Sequence, residues 1–151
     1  MFLQAGDAIS GKEGKAFATI DGKVVELFEI KNYEATATKK KAEFNSLGHR
    51  GTQYKTTGWS GKGSMNIYYV TSRWVKMMLD YIKKGKDTYF KMVVTNEDPT
   101  SSTGKQTVAL IDCNIDETTL AKLDVDAEFL DEPVNFTFSD ADLLDEFNEL
   151  K

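Results

Sequence analysis

The sequence predicts a mainly β domain of the α+β kind, with one flanking helix over about 72–84. Three observations carry that reading. Apolar residues alternate with polar ones in run after run, bounded by Gly, Asp, Asn and Pro, which is the period of half-buried strands. One segment alone, "TSRWVKMMLDYIKKGK", shows strong helical spacing between a hydroxyl start and a glycine stop. At 151 residues the chain suits one domain, 1–151, able to bury a core without staples.

The first element is a 1–15 arm containing "GDAISGKEG". Gly6 through Lys12 fits the glycine and lysine spacing of a phosphate-binding loop. The rest of that motif is missing. Glu13 stands where a hydroxyl should hold magnesium, and only Met1–Ala5 precede Gly6 where a buried strand should lie. "GKAFATIDGKVVELFEI" follows, and its Asp21-Gly22 between apolar runs signals a two-residue hairpin instead of a helix. The arm therefore reads as a glycine-containing turn ahead of the first strand.

"VVELFEIKNYEATAT" (24–38) places Phe28 and Ile30 in one phase and Tyr33, Ala35 and Ala37 in the other. A bulge or bend near Lys31-Asn32 in one long strand is the expected cause. "SMNIYYV" (64–70), "TYFKMVV" (88–94) and "TVALIDCNI" (107–115) read as further strands, with the aperiodic loop "TNEDPTSSTGK" between the last two. "LDVDAEFLDEPVNFTF" (123–138) reads as a final long strand whose phase changes at Asp131-Glu132-Pro133. In the helix, Thr71 or Ser72 is the cap, Lys83 and Lys84 oppose the macrodipole, and Gly85 stops the turn. Trp74, Val75, Met78, Leu79 and Ile82 form its core stripe. A weaker amphipathic segment, 140–151, sets Leu143, Leu144, Phe147 and Leu150 on one side and needs a docking surface to hold it.

Residues 39–63, "KKKAEFNSLGHRGTQYKTTGWSGKG", form a long hairpin-like loop, basic and glycine-rich, in which Phe44, Leu47, Tyr54 and Trp59 look exposed. Long loops in compact domains are functional or disordered, and these apolar side chains argue for burial by a partner. Lysines interleaved with aromatics also suit nucleic acid, although the chain's net charge of −5 opposes it.

Charge is unevenly spread. Residues 31–62 carry seven basic side chains against two acidic ones, whereas 112–151 carry thirteen acids against two lysines. Two solvated faces of opposite sign would explain this, and so would copies meeting head to tail. Asp124, Asp126 and Glu128 alternate and would share one strand face about 7 Å apart, a linear ladder that suits a solvated or interface stripe better than calcium. Cys113 lies in the apolar series Ala109, Ile111, Cys113, Ile115 and reads as a small buried hydrophobe. His49 lacks zinc or triad partners. No catalytic, cofactor or metal site is expected, and no signal peptide or membrane anchor, so the chain is expected to fold in the cytoplasm.

Laid end to end, "ISGKEGK" (9–15), "HRGTQYKTTGWSGKG" before "VTSRW", "MMLDYIKKGKDTYF" and "LDVDAEFLDEPVNFTF" resemble the tail tube proteins of contractile phage tails. The likeness is to those of PBSX-type defective prophages and diffocin-like phage-tail bacteriocins. The resemblance implies a β-sandwich or split-barrel subunit, closed in sixes into rings whose sheets join as an inner barrel. Stacked rings would make a hollow tube that a contracting sheath drives through a cell envelope. The implied partners are the subunit itself, the tail sheath protein, and baseplate and tape-measure proteins, with DNA only as passing cargo. No cofactor or enzymatic activity is implied, and assembly would occur in the bacterial host cytoplasm before release in the particle.

On that resemblance, the 39–63 segment is an assembly loop with Leu47, His49, Arg50, Tyr54 and Trp59 at the interface. Asp124, Asp126 and Glu128 either line the lumen or face the basic segment of the next copy. A type VI secretion-like tube protein and a monomeric β-barrel binding module are the competing readings.

Overall fold

A computed structural model of the chain describes residues 2–149. Strands β1 (Lys15–Ile20) and β2 (Lys23–Glu26) form the expected hairpin. Asp21 and Gly22 both take positive φ, 49° and 80°, as the favoured two-residue turn requires. The chain then breaks at Leu27–Glu29 before β3 (Ile30–Phe44). Residues 24–38 are thus two strands, because Leu27 turns inward and its N–H bonds the Ala16 carbonyl at 2.9 Å. The phase change near Lys31-Asn32 is a real bulge, since Ile30 pairs Ile67 and Asn32 pairs Asn66, leaving Lys31 extra.

β4 (Gln53–Tyr68) returns antiparallel along nearly all of β3, so the segment 39–63 is mostly paired strand, and only 45–52 is the connecting tip. Its hairpin-like character is as the sequence suggested. Its loop character is not, because lysines and threonines along both edges satisfy each other's backbone through a continuous ladder.

Helix α1 (Arg73–Lys84) has Ser72 at its N-cap position, but the bond there comes from Thr71, whose Oγ1 accepts from the Arg73 N–H at 3.3 Å. Gly85 (φ 67°) closes the helix in the left-handed region and donates to the Tyr81 carbonyl. Of the expected stripe only Trp74 is fully buried, stacked obliquely on Phe90 with ring centroids 5.7 Å apart. Val75, Met78 and Leu79 are half-buried and Ile82 is exposed, because the helix lies at the margin of the sheet.

β5 (Phe90–Glu97), β6 (Lys105–Thr118), β7 (Asp131–Phe138) and β8 (Asp140–Asp145) complete a fully antiparallel order, β2-β1-β5-β6-β7-β4-β3, with β8 beside β6. β6 belongs to two sheets. Its first part pairs β5 and β8, and Asn114–Thr118 pairs β7. The bend falls at a bulge where Asp112 takes φ 54°, and Ser139 bonds back to the Ile111 carbonyl at 3.1 Å and the Asp112 carboxylate at 3.2 Å. The two sheets pack face to face in the expected sandwich or split-barrel manner. Ala18, Met92 and Cys113 from one meet Met65, Ile67, Val134 and Phe136 from the other. The Tyr33 hydroxyl crosses the core to reach Met92 Sδ at 3.5 Å.

Two stretches differ from the sequence reading. Residues 119–130 are irregular, and β7 begins only at Asp131, since no neighbouring strand among the described residues accompanies "LDVDAEF". The C-terminal segment is a strand over Asp140–Asp145 in place of an amphipathic helix. β6 offers a hydrogen-bonding edge there, which a ten-residue helix could not match. Leu143 and Leu144 consequently point away from each other and stay exposed. Leu150 lies outside the described residues.

Candidate assembly surfaces

The β3–β4 hairpin divides at Gly61. Below it, β4 is flanked on its second edge by β7, and Gly61 and Gly63 stand directly opposite Phe138 and Phe136. A Cβ on either glycine would collide with the facing ring, so glycine here makes room for an aromatic laid across the strand. Above it, β3 and β4 pair only with each other among the described residues, out to a tip roughly 25 Å further on at ~3.3 Å per residue. A two-stranded ribbon exposed on both faces has no core of its own and is marginal in isolation.

The five residues expected at an assembly interface fall at three heights on this arm. Leu47, His49 and Arg50 sit at the tip, where Leu47 is wholly exposed (104%). The tip is ordered by a turn with Gly48 at φ 82°, and His49 Nδ1–H donates to the Gly51 carbonyl at 2.8 Å. Tyr54 stands on the shaft, opposite Glu43. Trp59 is at the root, its ring 6.1 Å from Phe138, so it caps the core as well as facing outward. A second bulge, where Lys40 pairs Gly58 and Lys41 pairs Thr56, exchanges the faces partway along, and Thr57 Oγ1 donates to the Lys40 carbonyl at 3.3 Å.

Asp124, Asp126 and Glu128 do not form the expected strand ladder. They lie on the irregular connection, where Asp124 Oδ1 accepts from the Asp126 N–H at 3.0 Å. Their apolar neighbours Leu123, Val125 and Phe129 are exposed too. The segment is anchored at its end by Lys122, which donates to the Asp131 carbonyl at 2.7 Å, and by Leu130, whose carbonyl accepts from the Tyr69 N–H. Lys31 also bonds the Asp131 carboxylate at 2.7 Å, which holds that acid below its ordinary range.

A regular polar face does exist, and the sequence reading missed it. On the side of β3-β4-β7-β6 away from the core, register aligns Glu34, Ser64, Asn135 and Glu117 in one row and Thr36, Lys62, Thr137 and Asn114 in the next. Hydroxyls and amides predominate. The signal was present as Ser64-x-Asn66 and Asn135-x-Thr137 interleaved with the core residues.

The phosphate-loop spacing is already satisfied by a carboxylate. Asp98 accepts from the Ser10 N–H at 2.9 Å and from the Thr100 N–H and hydroxyl, and these bonds, Ser10's foremost, hold it below its ordinary pKa. Ser102 donates to the Gly6 carbonyl and to Asp7, so the arm folds onto the β5–β6 turn of its own subunit. Burial pushes the Cys113 thiol up to about 12, the wrong direction for a nucleophile. No helix among the described residues is long and apolar enough to cross a membrane.

Comparison with known proteins agrees with this architecture. The "Phage-like element PBSX protein XkdM" of Bacillus subtilis (strain 168) is 44% identical over 149 residues, covering 99% of both chains. The "Uncharacterized protein YqbM" of the same strain is 46% identical over 143 residues, 95% of each. The fold is shared with the PVC sheath/tube terminator of an extracellular contractile injection system in its extended state. That chain superposes with a TM-score of 0.70 at 5% identity, over 94% of this chain and all of the other. A family model described as "Phage tail tube protein" matches residues 1–145, and the chain belongs to the phage tail tube protein family.

Proposed function

We propose that this chain is the inner-tube subunit of a contractile tail or tail-like particle, closing in sixes into rings that stack around a hollow lumen. The observation that carries the reading is the sheet β3-β4-β7-β6. One of its faces is core and the other is polar, and its outer strand β3 leaves a long edge without a partner among the described residues. Such an edge invites uncontrolled pairing unless a neighbour takes it, and ring closure removes it. The amide and hydroxyl face then lines the lumen, where a weakly charged wall lets cargo, including DNA, pass without sticking.

The basic arm, with Leu47, His49, Arg50, Tyr54 and Trp59, reaches a neighbouring copy. Asp124, Asp126 and Glu128, standing off the sheet, meet its lysines there, which also sets the direction of addition. The sheath, baseplate and tape-measure proteins are the other partners, assembly occurs in the bacterial host cytoplasm, and the role is structural, without catalysis or cofactor.

Electron microscopy of the purified chain at increasing concentration tests this. Rings or tubes with a central channel are expected. A species that stays monomeric at every concentration in analytical ultracentrifugation would overturn it.

A further inference from the structure

A cleft of about 230 Å³ opens between α1 and the stretch of β6 just beyond its bend. Met77, Met78 and Tyr81 give it an adaptable apolar wall, while Asp87 and Asp116 stand at its rim. Asp87 is fixed in place, accepting from Asn114 Nδ2 at 2.7 Å. This part of β6 carries no ladder to β5, whose pairing stops at Phe90–Cys113. The cleft is thus lined by two chemistries, sulfur and ring carbon on the helix side and carboxylates at Asp87 and Asp116.

The hairpin tip has the complementary pair. Leu47 is wholly exposed at the crest of the Ser46–His49 turn, and Arg50 follows directly after that turn. Their order suits a branched apolar side chain entering the methionine wall while a guanidinium meets the carboxylates at the rim. The connection that carries Asp124, Asp126 and Glu128 begins directly after Thr118, two residues beyond Asp116 of the cleft.

We propose that the β3–β4 tip of one subunit docks in the α1–β6 cleft of a second copy, Leu47 among Met77, Met78 and Tyr81 and Arg50 against Asp116 and Asp87. This rests on the tube reading above and names the contact that joins one copy to the next. It also accounts for a helix whose Met78 and Tyr81 face is left partly uncovered by its own subunit.

The test compares the purified wild type with Leu47→Ser, Arg50→Glu, Asp116→Lys and the Arg50→Glu/Asp116→Lys double variant, by sedimentation and negative-stain microscopy. Thermal midpoints should stay at the wild-type value, since all three side chains are at the surface. Each single variant should raise the concentration needed for sedimentation about tenfold or more, because like charges replace an opposed pair or the apolar anchor is lost. The double variant should recover most of that loss. Single variants that sediment like wild type overturn the docking while leaving the tube reading intact. Single variants that fail without rescue in the double place the tip elsewhere and overturn the pairing. A wild type that never sediments overturns the tube reading itself, and the docking with it.

Discussion

Strand β4 passes through two environments in sixteen residues. Its second half, Gly61–Tyr68, alternates core and polar face between β3 and β7, with Met65 and Ile67 buried and two glycines roofed by phenylalanines. Its first half, Gln53–Ser60, has a strand on one side only and exposes nearly every side chain. The same strand therefore holds the subunit together at one end and leaves its side chains open to solvent at the other. Backbone pairing is common to both halves, so hydrogen bonds do not distinguish them. Apolar burial does, and it identifies the half the fold depends on; on the tube reading proposed above, the other half is the one left for assembly.

Matched truncations should make that difference measurable. Met65 is 1% exposed, and Met65→Ala should cost roughly 2–5 kcal/mol in urea unfolding, the range for emptying a core site. Gly63→Val should cost about 1–3 kcal/mol by forcing the Phe136 ring off its partner strand, and a smaller loss would show that β7 can shift. Tyr54, 62% exposed on the arm, should change stability by less than about 0.5 kcal/mol on Tyr54→Ala while tube yield falls. A large folding penalty at Tyr54 would erase the division between the halves.

Two carboxyls sharpen the contrast through pH. Glu132 projects from β7 into the core beside the buried half of the hairpin, its carboxyl oxygens without a partner among the described residues, and burial pushes its pKa up. A raised value favours the protonated form in the fold, so its contribution is fully present below its ordinary 4.5 and is lost as pH rises through the folded value. Glu132→Gln should raise the thermal midpoint by about 2–4 °C near pH 8 and leave it unchanged near pH 4.

Asp98 works in the opposite sense. Its lowered value means that the bonds to Ser10 and Thr100 help stability above its ordinary 3.8 and are lost as pH falls through the folded value. Amide exchange at Ser10 and Thr100 should quicken below that point, well before the core unfolds. Simultaneous exchange of arm and core would show that the arm is not an independent unit.

The legible part of the fold was its local chemistry. Asp21-Gly22 specified a hairpin, Lys31 a bulge, and Lys83, Lys84 and Gly85 a helix end, because each depends on residues within a few positions. Leu47 and Tyr54 were legible as apolar side chains without a core position, and both are exposed in the fold. Residues 123–130 failed as a strand although their alternation was clean, and 140–145 succeeded as a strand although their spacing looked helical. Periodicity records which side chains could share a face, but a strand also needs an edge to pair with, and that edge comes from β6.

By itself the sequence determined the β-rich class, the single helix and its limits, the position of the basic hairpin and the family likeness. These rest on propensity, turn chemistry and pattern, which act over short distances. Tertiary structure alone decided that β6 serves two sheets, that Gly61 and Gly63 lie under Phe138 and Phe136, and that Asp98 takes the Ser10 amide of the phosphate-loop-like stretch. It also decided that the arm has no second neighbouring strand among the described residues. Each of these is a contact between residues far apart in the chain, and such contacts are settled by which surfaces the packed core leaves open.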